Sequence, residues 1–171
     1  FLQSRISLLR GDTERGLSLL KELREAVVDS RRYLFVHTAD MCRAFIFASF
    51  CQVSSVPEWI EEGKFDSISI YHPALSFVSI VYGRVLLESG QYARYLGEAD
   101  QLLADAREFP NLLTEIYLHI YSAVGYKKMG MNSEAEDSLQ LALHLACEDG
   151  IYMPFVENAK EILPLLKDIS Q

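Results

Sequence analysis

The chain has 171 residues, half of them apolar, enough to bury one sizeable core or a short array of repeats. Its 16 Lys and Arg against 24 Asp and Glu leave a formal charge of -8, which argues against a strong phosphate-backbone footprint for the chain as a whole. A charged fraction of 23% with 9 Phe and 9 Tyr excludes general disorder, and three cysteines without a spaced framework argue against a disulfide-stapled secreted domain.

The strongly apolar stretches, such as Ala44 to Cys51 and Ala74 to Val81, are well short of the roughly 20 residues a membrane-spanning helix requires. No membrane partner is expected, and a reducing cytoplasm is the expected location. The opening Phe1-Leu2-Gln3-Ser4-Arg5 has no initiator Met, basic leader or cleavage site, so the expectation is a fragment of a longer protein.

Strand-length alternation is almost absent, and the few Pro and Gly residues sit mostly between helical patterns. Phe1 to Arg10 ends at Gly11-Asp12. Thr13 can cap a helix carrying Leu17, Leu20, Leu23 and Val27. Arg31 to Gln52 reads as a long helix, apolar on several sides through Leu34, Phe35, Met41, Phe45, Ile46, Phe47 and Phe50. The stretch 53–71 is irregular apart from a short helix through Trp59 and Ile60, begun at Pro57 and ended by Gly63. Pro73 suits a first helical turn, and that helix runs through Phe77, Ile80 and Leu86 to Ser89-Gly90. Gln91 to Ala106, Asn111 to Met129 and Ser133 to Glu148 follow, with turns at Phe109-Pro110, Gly130 and Asp149-Gly150. A last helix, Val156 to Leu166, covers the final pair.

Gly90 and Gly130 are 40 residues apart and Gly11 lies 79 before Gly90, with the loop after Cys51 where a middle turn belongs. A period of about 40 residues is the mark of stacked helical hairpins, each exposing an apolar face until a neighbour covers it. The fold expected is therefore all-α, a single domain over 1–171: a right-handed array of roughly three and a half antiparallel hairpins with a C-terminal capping helix.

The last repeat, Ala123-Val124-Gly125-Tyr126-Lys127-Lys128-Met129-Gly130 with Ala135 and Ala142-Leu143, resembles the tetratricopeptide pattern. Small residues admit close helix approach, and glycine supplies the turn. The preceding repeat matches through Gly83, Gly90, Tyr92 and Ala99 but has Tyr95 where a small residue is usual. Together with Gly150-Ile151-Tyr152-Met153-Pro154-Phe155 and Leu163-Pro164-Leu165-Leu166, the pattern is similar to the helical-repeat domain of MalT-like, LuxR-family transcriptional regulators. The resemblance is good over 77–166, looser over 1–52 and poor over 53–71. It implies a non-catalytic effector-sensing and protein-contact domain, set between a nucleotide-binding ATPase and a DNA-binding helix-turn-helix. Neither flank lies in these residues, so no direct nucleic-acid binding and no cofactor are expected. The expected partners are a small-molecule effector or a protein, with self-association as a further contact. The alternative is a tetratricopeptide-type adaptor that holds a peptide or partner protein without an effector.

Tetratricopeptide register would bring Phe77, Ile80, Arg84, Leu87 and Glu88 beside Tyr117, Ile120, Val124, Lys127 and Lys128 in one groove. Aromatic faces there could hold a sugar ring or apolar group, and the cations a carboxylate or phosphate. In a generic array such residues are solvated face and packing, the commoner role of any one of them. The same projection brings Thr38, Met41, Phe45 and Ala48 inward near His37 and Arg43. Trp59 is a candidate pocket residue, although a lone Trp more often plugs a core gap. His37, His72, His119 and His144 are dispersed with no i, i+4 pair, so no metal site is expected, and Cys42 and Cys51 read as core thiols. Glu61-Glu62 and Glu148-Asp149 diverge by about 100° on a helix, and no nucleophile elbow occurs, so no enzyme is expected.

Overall fold

The helix ends are built from one recurring device. Helix α1 (Leu2–Leu9) ends with Gly11 at φ 82°, its N–H donating to the Leu8 carbonyl while the Asp12 N–H reaches back to Ser7. This paired closure satisfies carbonyls that a helix end would leave orphaned, and its left-handed residue suits glycine. Helix α2 (Thr13–Asp29) ends the same way at Arg31 and Arg32, after which come α3 (Val36–Ser49), a 3-10 turn at Val53–Ser55 and α4 (Glu58–Glu61). Helices α5 (Leu75–Glu88), α6 (Tyr92–Glu108), α7 (Leu112–Lys128), α8 (Asn132–Cys147), α9 (Met153–Glu157) and α10 (Ala159–Ile169) complete the order. Gly63 after α4, Gly90 after α5 and Gly130 after α7 all repeat the closure at φ 72°, 72° and 79°.

These elements come from a computed structural model, which describes residues 1–32, 35–50, 52–65, 74–108 and 111–169. Among the described residues the secondary structure is all helical, without a strand. Leu34, Cys51, the remainder 66–71 of the irregular stretch, His72, Pro73, Phe109 and Pro110 lie outside them. No helix among the described residues is long and apolar enough to cross a membrane.

Three boundaries differ from the sequence expectation. Asp12, not Thr13, caps α2, its carboxylate accepting the Arg15 N–H at 3.1 Å. The long helix does not begin at Arg31: that residue sits at φ 54° and closes α2, and α3 starts five residues later. The last helix is two, because Asn158 leaves helical geometry and its buried side-chain amide donates to the Pro154 carbonyl at 2.7 Å. Arg31 holds, without glycine's freedom, a conformation that costs an L-residue about 1–2 kcal/mol. Arg31→Gly is therefore expected to stabilise the chain by up to about 1 kcal/mol, glycine's looser unfolded state offsetting part of the relief, read as a higher urea midpoint.

The chain divides into two compact units, Phe1–Val85 and Leu86–Gln171. In the first, α2 packs on α1 and on α3. The α1–α2 crossing is close: a Cβ on Gly16 would stand 2.6 Å from Leu8 Cδ2, and Ser4 Oγ donates to the Gly16 carbonyl at 2.7 Å. Met41, Ala44, Phe45, Ile46 and Ala48 of α3 are buried with Leu20 and Ile60. In the second unit α7 packs on α6, α8, α9 and α10. That explains why its residues from Ile116 to Gly125 are buried on every side and why it shows no single apolar stripe.

Candidate functional site

Helical spacing on α2 sets Leu17, Lys21 and Arg24 along one flank, with Leu20 and Glu25 beside them. On α3 the i, i+3, i+7 spacing of Asp40, Arg43 and Phe47 does the same. Between the two helices lies a half-open cleft of about 380 Å³, lined by Leu17, Leu20, Lys21, Arg24, Glu25, Arg43 and Phe47.

Its electrostatics are organised by Asp40, whose side chain is only 12% exposed. One oxygen, Oδ1, accepts from Arg24 Nε at 2.8 Å and stands 3.6 Å from Arg43 Nη1. A carboxylate removed from water is costly unless paired, and two guanidiniums supply that pairing. The result is a pair of arginines from different helices drawn to one point. The Arg43 guanidinium also lies 5.7 Å from the Phe47 ring centroid. Lys21 Nζ stands 3.8 Å from Glu25, both exposed. Lys21, Arg24 and Arg43 against Glu25 and Asp40 leave one positive charge in excess, in a chain whose net charge is -8.

The residues expected in the groove are distributed between the units. In the first, Phe45 and Phe77 meet at 5.7 Å, and Phe1 joins both, at 5.9 Å from Phe45 and 5.3 Å from Phe77. Arg5 lies over the Phe1 and Phe45 rings. Met41, Ile80 and Arg84 are buried. In the second unit Tyr117 and Ile120 are buried, and the Tyr117 hydroxyl hydrogen-bonds the Glu157 carboxylate of α9. Glu88 and Lys127 are half-buried at the ends of α5 and α7, while Lys128 is exposed. Trp59 is half-buried and packs edge-on against His37 at 5.5 Å and Phe65 at 6.3 Å. Phe65 in turn stacks edge-on with Tyr82 at 5.2 Å.

Of the cleft's charged lining, the sequence reading includes Arg43 alone. It leaves aside Lys21, Arg24 and Glu25, and Asp40 behind the arginines, although the spacings just given mark both flanks. Burial pushes the Cys42 thiol up to about 11, so it stays protonated and inert within its unit. Among the described residues no group of three His, Cys, Asp or Glu side chains is arranged to hold a metal ion.

His119 of α7 is buried, and its Nε2 has no hydrogen-bond partner among the described residues. Burial holds its pKa below the usual 6.5, the Arg107 guanidinium lowers it further, and Glu115 opposes both. The unfolded chain therefore takes up a proton near pH 6.5 that the folded chain resists. Stability contributed by neutral His119 is complete above that pH and is lost as pH falls from 6.5 toward the depressed folded value. Urea midpoints compared at about pH 7.5 and about pH 5.5 should show a smaller drop for His119→Gln than for the parent chain. Compared with known proteins, the chain matches no family model, no curated protein and no solved structure.

Proposed function

We propose that this chain is a non-catalytic effector-sensing and protein-contact domain of the MalT-like, LuxR-family type, its hairpins stacked in a tetratricopeptide-like right-handed array with α10 as the cap. The observation that carries the reading is the spacing, 79 and 40 residues, of three of the four glycine closures, Gly11, Gly90 and Gly130, with Gly63 ending the short α4 inside the irregular stretch. A chain that repeats one hairpin design builds extended surface for holding something. The small-residue and aromatic pattern around Gly125, Tyr126 and Gly130 supports the family assignment.

The cleft between α2 and α3 suits the same role. Its charged groups are arginines, a lysine and paired carboxylates, which orient a ligand and do not form the nucleophile, base and orienting group of a catalytic triad. Ligand held by the domain would favour one state of the parent protein by its differential affinity, with nucleotide and DNA chemistry supplied by the flanking modules. Cytoplasmic residence follows from that role.

The coding sequence on either side of these residues tests the proposal. A nucleotide-binding module upstream and a helix-turn-helix module downstream are the expected result. Flanks of unrelated repeats would overturn it in favour of the adaptor, which should grip an extended acidic peptide in a salt-sensitive manner.

A further inference from the structure

We infer that the α2–α3 cleft is a binding site for a small monocarboxylate carried on an apolar or aromatic body. The inference rests on the sensing role proposed above and names a ligand class for it.

The charge pattern selects an anion. Asp40 draws Arg24 and Arg43 together from two helices but supplies a single negative charge, and Lys21 and Glu25 balance each other. One further negative charge completes the cleft. Asp40 engages Arg24 through Nε. A guanidinium held at Nε retains its two terminal nitrogens as a second, coplanar fork, the geometry that matches a carboxylate bidentately. Because Asp40 is buried and positioned by α3, the Arg24 fork is ordered before a ligand arrives, which lowers the cost of binding.

The remaining wall selects the body. Leu17, Leu20 and Phe47 are the apolar lining, and the Arg43 guanidinium against the Phe47 ring places charge directly beside it. A ligand here carries its carboxylate within one or two carbons of an apolar group. Inorganic phosphate satisfies the charges and leaves the apolar wall wet. A neutral sugar satisfies neither. The volume of about 380 Å³ falls within the range of small-molecule sites.

Calorimetric titration of the 171-residue chain with phenylacetate, phenylacetamide, inorganic phosphate and a neutral disaccharide tests this. Phenylacetate should bind at least tenfold more tightly than its amide and than phosphate. Arg24→Met and Arg43→Met should each weaken phenylacetate at least tenfold, with the far-UV spectrum retained, while Lys160→Ala, at an exposed position of α10, leaves it unchanged. The acid-against-amide comparison on the unaltered chain decides the matter even if a variant fails to fold. Equal binding of acid and amide, or acid binding that survives both arginine substitutions, overturns the inference. Binding of the disaccharide with phenylacetate silent overturns the carboxylate cleft but leaves the sensing role standing. Silence of all four probes overturns the cleft as well, and the flanking modules then decide the role separately.

Discussion

Replacing Tyr95 with alanine is expected to destabilise the second unit by about 3–5 kcal/mol. The ring is fully buried on α6, meets Tyr121 edge-on at 6.2 Å and donates its hydroxyl hydrogen to the Leu118 carbonyl of α7 at 2.7 Å. Truncation removes the ring's burial and leaves a cavity against α7, a helix enclosed by four others that cannot readily collapse into the gap. Tyr95→Phe retains the ring and loses one neutral hydrogen bond, for about 1 kcal/mol. Urea unfolding followed by far-UV circular dichroism measures both. A cost for Tyr95→Ala no larger than for Tyr95→Phe would show that the hydroxyl, not the ring, carries the contact. Burial also raises the Tyr95 pKa well above its usual 10, so the phenol stays a donor at neutral pH.

Gly63→Ala should cost about 2–4 kcal/mol in the first unit, the sum of two independent penalties. Gly63 closes α4 at φ 72°, where a Cβ is strained whatever the space around it. That Cβ would also stand 2.8 Å from the Tyr82 hydroxyl oxygen and 3.0 Å from Cζ. Tyr82 is 2% exposed and stacked on Phe65, so the ring has little room to move away. A double-mutant cycle separates the terms. In a Tyr82→Phe background the substitution should cost measurably less, because the closest atom is gone, but the backbone strain should persist. Equal costs in both backgrounds would assign the whole effect to backbone conformation. Gly90 and Gly130 sharpen the comparison: a Cβ at either meets nothing within 4 Å, so alanine there should show the conformational term alone.

Residues acting on their own neighbourhood were legible in the sequence. The glycine stops at Gly11, Gly63, Gly90 and Gly130 are visible because a helix end needs a left-handed residue there and glycine adopts it without strain. Asn111 marks the start of α7 in the sequence, and its side chain accepts the Thr114 N–H. Boundaries slipped where a residue took an unfavoured role. Arg31 occupies a glycine-like conformation, and Asn158 breaks a pattern that reads as continuous helix.

Burial was harder to read. A projection built on helix register makes Tyr117 and Ile120 groove wall. Helices α8, α9 and α10 all pack on α7, and Glu157 reaches the Tyr117 hydroxyl from 40 residues away. Nothing within either short segment announces that contact. Tyr95, a departure in the sequence from a small-residue position, is the buried anchor of the α6–α7 packing.

By itself, then, the sequence determined an all-helical chain and the glycines that stop its helices, because caps, turns and the 3.6-residue period are interactions within a few residues of one another. The tertiary structure decided which helix faces are enclosed and which charges meet. Asp40 lies 16 residues from Arg24 and three from Arg43, and only the packing of α2 on α3 turns those separations into one shared oxygen. The cleft is a product of that packing: its walls come from two helices, and neither helix alone encloses a volume or holds two arginines at one carboxylate.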